Sequence, residues 1–272
     1  VYSLRLHCQA DEAEVISIQL WESGTVAISE FYESEAYVLT AGFENERSRD
    51  SLLQQFASYA PEWREDVIDW EAVTRDAWPG RAIGKSLYLA PPWSEQPTPE
   101  GRHRLIHNPG QASGTGEHPC TQLALEALER TVFAGGKVLD VGTGSGILAI
   151  AALKLGSDSA MGIDTDGIAV ETASDNFRLN SFPPLLAVGS ADCVTDEWSD
   201  LTVANISATV LLSIMDELLR ATASDGTLIL TGFPLSEATA ITEFWPEAEV
   251  TAREDWACLT VKLSSCASSP LF

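Results

Sequence analysis

The segment Val138-Leu139-Asp140-Val141-Gly142-Thr143-Gly144-Ser145-Gly146-Ile147 follows a short apolar run with glycines at alternate positions. Glycine in such a turn lets the chain bend tightly and lets its backbone come close to a ligand. The spacing discriminates between ligands. A nicotinamide-type GxGxxG turn requires glycine at 147, where Ile147 stands, and this is the main ground for excluding a dinucleotide oxidoreductase. No Gly-Lys-Ser/Thr follows, which excludes a phosphate loop of the P-loop kind. S-adenosyl-L-methionine has no phosphate and asks only for a cradle around its methionine and ribose parts. Gly142 is expected against that cofactor, with Gly144 and Gly146 letting the backbone pass. A purely structural strand-to-helix turn is the plainer alternative.

Three further polar residues stand where ligands are met in open α/β sheets, beyond the carboxyl ends of strands. Asp164 ends Met161-Gly162-Ile163-Asp164 and is placed to accept hydrogen bonds from ribose hydroxyls. Capping the next helix is its alternative role, although Thr165 or Asp166 could do that. Asp192, in Gly189-Ser190-Ala191-Asp192, is placed to meet an adenine amino group or else is an exposed loop acid. Asn205, in Val203-Ala204-Asn205-Ile206-Ser207-Ala208, offers a side-chain oxygen to an amine N–H, which would aim the amine's lone pair at a methyl carbon. Many amine methyltransferases carry Asn-Pro-Pro-aromatic here. This chain lacks the prolines and the aromatic, so an Asn-initiated turn remains open.

The elements that must position these residues follow from periodicity. Strands are expected at 137–141, 160–163, 185–188, 201–204 and 227–230, with helices at 147–155, 168–179 and 210–221 between them. That alternation implies an open parallel sheet covered on both faces. Segments 248–253 and 257–263 read as strands joined by a short turn, which adds an antiparallel C-terminal hairpin to a Rossmann-like α/β sheet. That combination is a mark of class I methyltransferases. Residues 1–60 read as strand (2–8), helix (11–21), strands (25–32 and 36–43) and helix (47–59), a small N-terminal α+β unit of ferredoxin-like order. Residues 61–110 form a connector rich in Trp and Pro, with one strand at 81–90 and with Trp63, Trp70, Trp78 and Trp93 as packing anchors between domains. Residues 111–272 form the methyltransferase domain.

Composition narrows the setting. The chain has 272 residues and a formal net charge of −24. Such a charge repels phosphate backbones and attracts basic proteins, so direct nucleic-acid binding is disfavoured. Five scattered cysteines without a CxxC, and four histidines without ligand spacing, give no expectation of a disulfide framework or a metal site. The first residues lack a signal-peptide layout and no apolar run suits a membrane span. A cytoplasmic monomer is the expectation.

The stretch Asn108-Pro109-Gly110-Gln111-Ala112-Ser113-Gly114-Thr115-Gly116-Glu117-His118-Pro119-Cys120-Thr121 resembles the loop DPGxAFGTGTHPTT of the bacterial ribosomal protein L11 methyltransferase family (PrmA). The resemblance continues in register through Gly136–Ala152, Gly162-Ile163-Asp164, Ala204-Asn205-Ile206 and Glu254-Asp255-Trp256. Upstream, Pro79–Gly84 and Pro91-Pro92-Trp93 are similar to the family's connector. It implies an enzyme that transfers methyl groups from S-adenosyl-L-methionine to lysine and N-terminal amines of protein L11. It also implies cofactor contacts at Thr121, Gly142, Asp164 and Asn205, with residues 1–60 recognising the substrate. Asn205 and the Ile206 carbonyl are the expected amine acceptors in the transfer step. Ser113, Glu117 and Cys120 depart from the family's Phe, Thr and Thr. Another protein lysine or a small-molecule amine is the alternative acceptor, and a non-catalytic cofactor-binding module in ribosome assembly is the alternative of a different class.

Overall fold

The computed structural model describes residues 2–9, 12–33, 36–43, 45–65, 80–108, 116 and 118–264, which fall in two compact units, Val1–Ala77 and Trp78–Phe272. In the first unit, β1 (Tyr2–Cys8), α1 (Ala13–Glu22), β2 (Ala27–Glu33), β3 (Ala36–Phe43), α2 (Arg49–Gln55) and β4 (Glu62–Glu65) follow one another. The sheet order is β2-β3-β1-β4 with antiparallel neighbours throughout. Alternation along β1 buries Leu4 and Leu6 on one face, where Ile16 and Leu20 from α1 and Leu52 from α2 complete a core.

One correction to the expected boundaries arises here. The short strand β4 pairs with β1, so residues 62–65 belong to the N-terminal unit and not to a connector beginning at 61. Trp63 stacks on Tyr2 at 5.9 Å and lies 5.5 Å from Phe43, all within that unit. Its large ring packs on its own sheet. Trp70 and Trp78 lie outside the described residues.

In the second unit, residues 80–108 do not form a separate connector but a small sheet of order β5-β6-β7, with β5 at Arg81–Ile83, β6 at Leu87–Ala90 and β7 at His103–Ile106. The single strand expected over 81–90 is a hairpin. Arg102 explains the break: its guanidinium donates to the carbonyls of Ile83, Gly84 and Leu87 at 3.2, 3.0 and 2.7 Å. Glu129 holds the same turn by accepting from the N–H groups of Lys85 and Ser86.

The large sheet has β8 (Lys137–Val141), β9 (Ser159–Asp164), β10 (Leu186–Val188), β11 (Ser199–Asn205), β12 (Thr222–Pro234), β13 (Glu249–Arg253) and β14 (Trp256–Lys262). Their order is β10-β9-β8-β11-β12-β14-β13, parallel up to β12 and antiparallel across β12, β14 and β13. This is the Rossmann-like class I methyltransferase sheet with its antiparallel hairpin. Helices α3 (Pro119–Thr131) and α4 (Ile147–Lys154) pack with Val138 and Val203 on one face. Helices α6 (Ala208–Ser213) and α7 (Met215–Ala221) pack with Leu139 and Val141 on the other. The helix expected over 210–221 is thus two, parted at Ile214, whose φ of −118° is not helical. Helix α5 (Gly167–Leu179) follows β9. The chain leaves β8 toward β9 and later returns to β8's other side as β11. That reversal opens a crevice at the carboxyl ends of the two strands, where ligands bind in such sheets.

Candidate methyl-transfer site

A cavity of about 370 Å³ opens at that crevice, within the range of small-molecule sites. Its wall includes Thr121, Gly142, Gly144, Asp164, Asn205 and Ile206, which stand on four separate segments of the chain. The floor is the turn 142–146. All three of its glycines have positive φ, 71°, 53° and 80°, so the alternating glycines answer to backbone conformation. The N–H groups of Gly142 and Thr143 both donate to the Ile163 carbonyl at 2.9 Å, tying the turn to the end of β9.

Asp164 completes that tie. One carboxylate oxygen accepts the Gly144 N–H at 2.9 Å and the other the Asp166 N–H at 3.0 Å. Asp164 is half-buried, and each oxygen keeps a lone pair for a ligand. Capping of α5 falls instead to Asp166, which accepts the Ile168 N–H at 2.9 Å, so the capping alternative for Asp164 is taken by its neighbour.

On the opposite wall, Asn205 ends β11 and donates from Nδ2 to the Thr121 hydroxyl at 3.3 Å. Thr121 lies in the first turn of α3, where unpaired helix N–H groups gather. His118 seats that helix end: its Nδ1 accepts the Cys120 N–H at 3.3 Å, and its ring meets Trp256 edge-on at 4.4 Å. The two motifs flanking the site, the His-Pro loop and the acid-acid-Trp turn, therefore touch. Cys120 is buried outside the cavity wall, and burial pushes its thiol pKa up, so it stays a neutral packing group. Ser113 and Glu117, with the rest of 109–115, lie outside the described residues.

Asp192 is not brought to this site. It sits exposed on a single 3-10 turn, Ala191–Cys193, whose Ala191 is buried. Anchoring Ala191 inward turns the next residue to solvent, and the cavity wall there is made by Gly189 and Ser190. Asp140, within the glycine motif, is fully buried and also outside the wall. Its Oδ2 accepts from the Thr143 hydroxyl at 2.7 Å and from the Ala149 N–H at 3.1 Å, capping α4 from the neighbouring strand because Gly146 has no side chain to do so. Burial raises its pKa to about 7, against the lowering effect of those two hydrogen bonds.

Two contributors escaped the sequence reading. Asn176 donates from Nδ2 to the carbonyls of Ser145 at 2.9 Å and Asn108 at 2.7 Å, linking the glycine turn to the start of the 108–121 loop. The available signal was an amide among Ala169, Ala173 and Phe177 on the buried face of α5, where helical period calls for an apolar residue. The other is Gly232, which sequence alone shows only as a glycine near a strand's end.

The profile of the family described as ribosomal protein L11 methyltransferase (PrmA) matches residues 7–264. A ribosomal protein L11 methyltransferase of Shewanella sediminis (strain HAW-EB3) is 33% identical over 286 residues, covering 94% of this chain and 97% of its own. One from Bacillus cereus (strain Q1) is 35% identical over 202 residues, covering 71% of this chain and 65% of its own. The chain belongs to this family. A crystal structure of a ribosomal protein L11 methylase from Lactobacillus delbrueckii subsp. bulgaricus matches with a TM-score of 0.63 and 30% identity, over 69% of this chain and all of its own.

Membership makes S-adenosyl-L-methionine the cofactor, and the residues present fit it. Gly142 leaves bare backbone where an added Cβ would collide with Ile206, so the floor has room for a ligand only without a side chain. Asp164 supplies free acceptor capacity for a pair of hydroxyls. Among the described residues no cationic side chain lines the cavity to meet a phosphate. No helix of the described residues is long and apolar enough to cross a membrane.

Proposed function

We propose that this chain transfers methyl groups from S-adenosyl-L-methionine to amino groups of ribosomal protein L11, at lysine side chains and the N-terminal α-amine. The single observation that carries this reading is the pairing of Asn205 with Thr121. Because Nδ2 of Asn205 is engaged by the Thr121 hydroxyl, Oδ1 is the atom left to accept a hydrogen bond. An acceptor in the wall of a cofactor cavity suits a substrate that brings N–H groups and a lone pair. The substrate named for the relatives, protein L11, is such an amine bearer.

In this reading Gly142 and Gly144 flank the cofactor's methionine end, Asp164 accepts from its ribose hydroxyls, and Thr121 and Asn205 close the opposite side. The bound cofactor supplies an electrophilic methyl group on a sulfonium. Asn205 Oδ1 and the Ile206 carbonyl accept the amine N–H groups and hold the nitrogen in line, and positioning of this kind provides the rate. Asp164 is the one titratable side chain in the cavity wall among the described residues, and its oxygens are shared between backbone N–H groups and, in this reading, the ribose hydroxyls. A lysine, with a free pKa of about 10.4, therefore loses its proton to water as it is desolvated. The N-terminal unit Val1–Ala77, separate in its core, serves to recognise the substrate protein. The formal charge of −24 favours a basic protein partner over nucleic acid, and the protein works as a monomer in the cytoplasm.

The test is incubation with isotopically labelled S-adenosyl-L-methionine and the full set of large-subunit proteins, followed by mass spectrometry. Label on lysine and N-terminal amines of L11 supports the reading. Label confined to another protein, or to none, overturns it.

A further inference from the structure

Ile206, the residue that follows β11, is gripped from two sides. On one side, the Ile206 side chain presses Cγ2 against Gly142, so closely that any Cβ at 142 would collide with it. On the other, the Ile206 backbone fills the space that a Cβ at Gly232 would occupy: its N and O lie 2.5 Å, and its C 2.8 Å, from that position. Both glycines have positive φ, 71° and 100°. Gly232 can approach because it is skipped in the ladder. The pairing of β12 with β14 passes from Thr231–Cys258 to Phe233–Ala257, leaving Gly232 as the extra residue of a β-bulge. Bulges re-aim chains beside active sites. The parallel partner is held at the same point, for the Ile206 N–H donates to the Thr231 carbonyl at 3.0 Å. The bulge also lies beside the other wall, since the backbone of Gly232 and Phe233 acts to lower the pKa of the Cys120 thiol, the neighbour of Thr121, against the larger effect of burial.

We propose that Gly232 is a positioning residue for methyl transfer, forming with Gly142 a two-sided clamp on Ile206 that fixes the Asn205-Ile206 peptide over the cavity. Gly232 touches neither cofactor nor substrate and is not in the cavity wall. It acts through the Ile206 main chain. The proposal rests on the reading that Asn205 and Ile206 hold the acceptor amine, but its geometric core does not.

The clamp makes different demands at its two jaws. Gly232→Ala forces the Ile206 main chain to move, and no change of the Ile206 side chain can relieve that. Gly142→Ala collides with the Ile206 side chain alone, so Ile206→Ala removes the collision and leaves only the strain of a side chain at positive φ. A misplacement of about 1 Å at a reacting centre costs about 100-fold in rate. Gly232→Ala is expected to lower kcat about 100-fold with the cofactor Kd within about threefold of the parent, as for an interaction felt in the transition state. In double-mutant cycles of thermal stability, Ile206→Ala is expected to offset part of the loss caused by Gly142→Ala and none of that caused by Gly232→Ala, a pattern that general destabilisation does not produce. The crystal structure of Gly232→Ala with bound S-adenosylhomocysteine is the readout independent of any substrate. The Ile206 main chain is expected to shift toward the cavity by about 0.5–1 Å while Asp164 and Gly144 stay in place. An unmoved Ile206, or equal rescue of both variants, overturns the clamp. If Gly232→Ala does not fold, the Gly142 and Ile206 variants alone decide, and absence of rescue there overturns it. Failure of the functional reading has another signature: Ile206 shifts as expected, but the parent puts no label on L11.

Discussion

Asn205 at the end of β11 and Thr121 in the first turn of α3, 84 residues apart in sequence, are joined by a hydrogen bond of 3.3 Å from the Asn205 Nδ2 to the Thr121 hydroxyl. Thr121 is 2% exposed, so that hydroxyl has little access to water as a substitute partner. The bond decides which face of the Asn205 amide is presented. Thr121→Val removes the hydroxyl at nearly constant shape and lets the amide turn. A neutral hydrogen bond is worth about 1 kcal/mol, so kcat/KM is expected to fall about five- to tenfold. Thr121→Ser, which keeps the hydroxyl, is expected to recover most of that. Identical steady-state kinetics for the two variants would show that the hydroxyl orients nothing.

Asn205 itself separates binding from chemistry. Asn205→Ala is expected to weaken cofactor affinity only modestly, because Gly142, Asp164 and Thr121 remain in the wall. Its turnover number is expected to fall about 100-fold or more, as when one oriented polar group is removed from other sites. Asn205→Asp keeps an acceptor and is expected to retain more activity than Ala. Parental turnover in both variants would leave Asn205 as a turn residue.

Asp164 braces Gly144 and, in the proposed reading, also holds the ribose. Asp164→Ala is expected to weaken S-adenosyl-L-methionine binding at least about tenfold, since a hydrogen bond to a charged group is worth about 1.5–3 kcal/mol. Titration calorimetry reads this directly. An unchanged affinity would leave the carboxylate with only its structural task on the turn.

The division of the chain between Ala77 and Trp78 gives a cleaner cut than one at residue 60, because β4 is needed to complete the N-terminal sheet. Residues 78–272 alone are expected to bind S-adenosyl-L-methionine with near-parental affinity and to lose methylation of the intact protein substrate. All six proposed cofactor and acceptor residues lie in that unit. A truncated enzyme that methylates the full-length substrate at parental rates would remove any recognition role from the first 77 residues.

Much of this arrangement was legible before folding, and the reasons are local. The glycine turn, Asp164 and Asn205 each sit at the end of an apolar strand, where sequence spacing alone specifies the position. The hairpin β13–β14 showed as two short alternating segments. What sequence could not display were relationships that need the third dimension. The bulge at Gly232 is defined by its register against β14, and the outward turn of Asp192 by the burial of Ala191. The hairpin at 81–90 depends on Arg102, which follows it in the chain and gathers three of its carbonyls. The strand at 62–65 was hidden because Glu62-Trp63-Arg64-Glu65 is an exposed edge with no apolar alternation.

Asp140 links the glycine motif to a dependence of stability on pH. It is fully buried, with Oδ2 serving both Thr143 and the α4 N-terminus and Oδ1 without a hydrogen-bond partner among the described residues. Burial raises its pKa from 3.8 to about 7. Between about pH 4 and pH 7 the folded protein thus keeps a proton that the unfolded chain has lost, and stability falls as pH rises through that window. The contribution is complete below the unfolded value and gone above the folded one. At roughly 1.4 kcal/mol for each pH unit of separation, the whole window amounts to about 4 kcal/mol. Asp140→Asn cannot ionise, and its Oδ1 can still accept from Thr143 and Ala149. Relative to the parent, this variant is expected to gain stability as pH rises, with urea midpoints compared at about pH 5 and about pH 8. The comparison with the parent cancels the titration of the other carboxylates. A difference between the two proteins that stays constant across pH would mean that Asp140 remains ionised when folded, held by the α4 amide and the Thr143 hydroxyl, and the burial argument would fail.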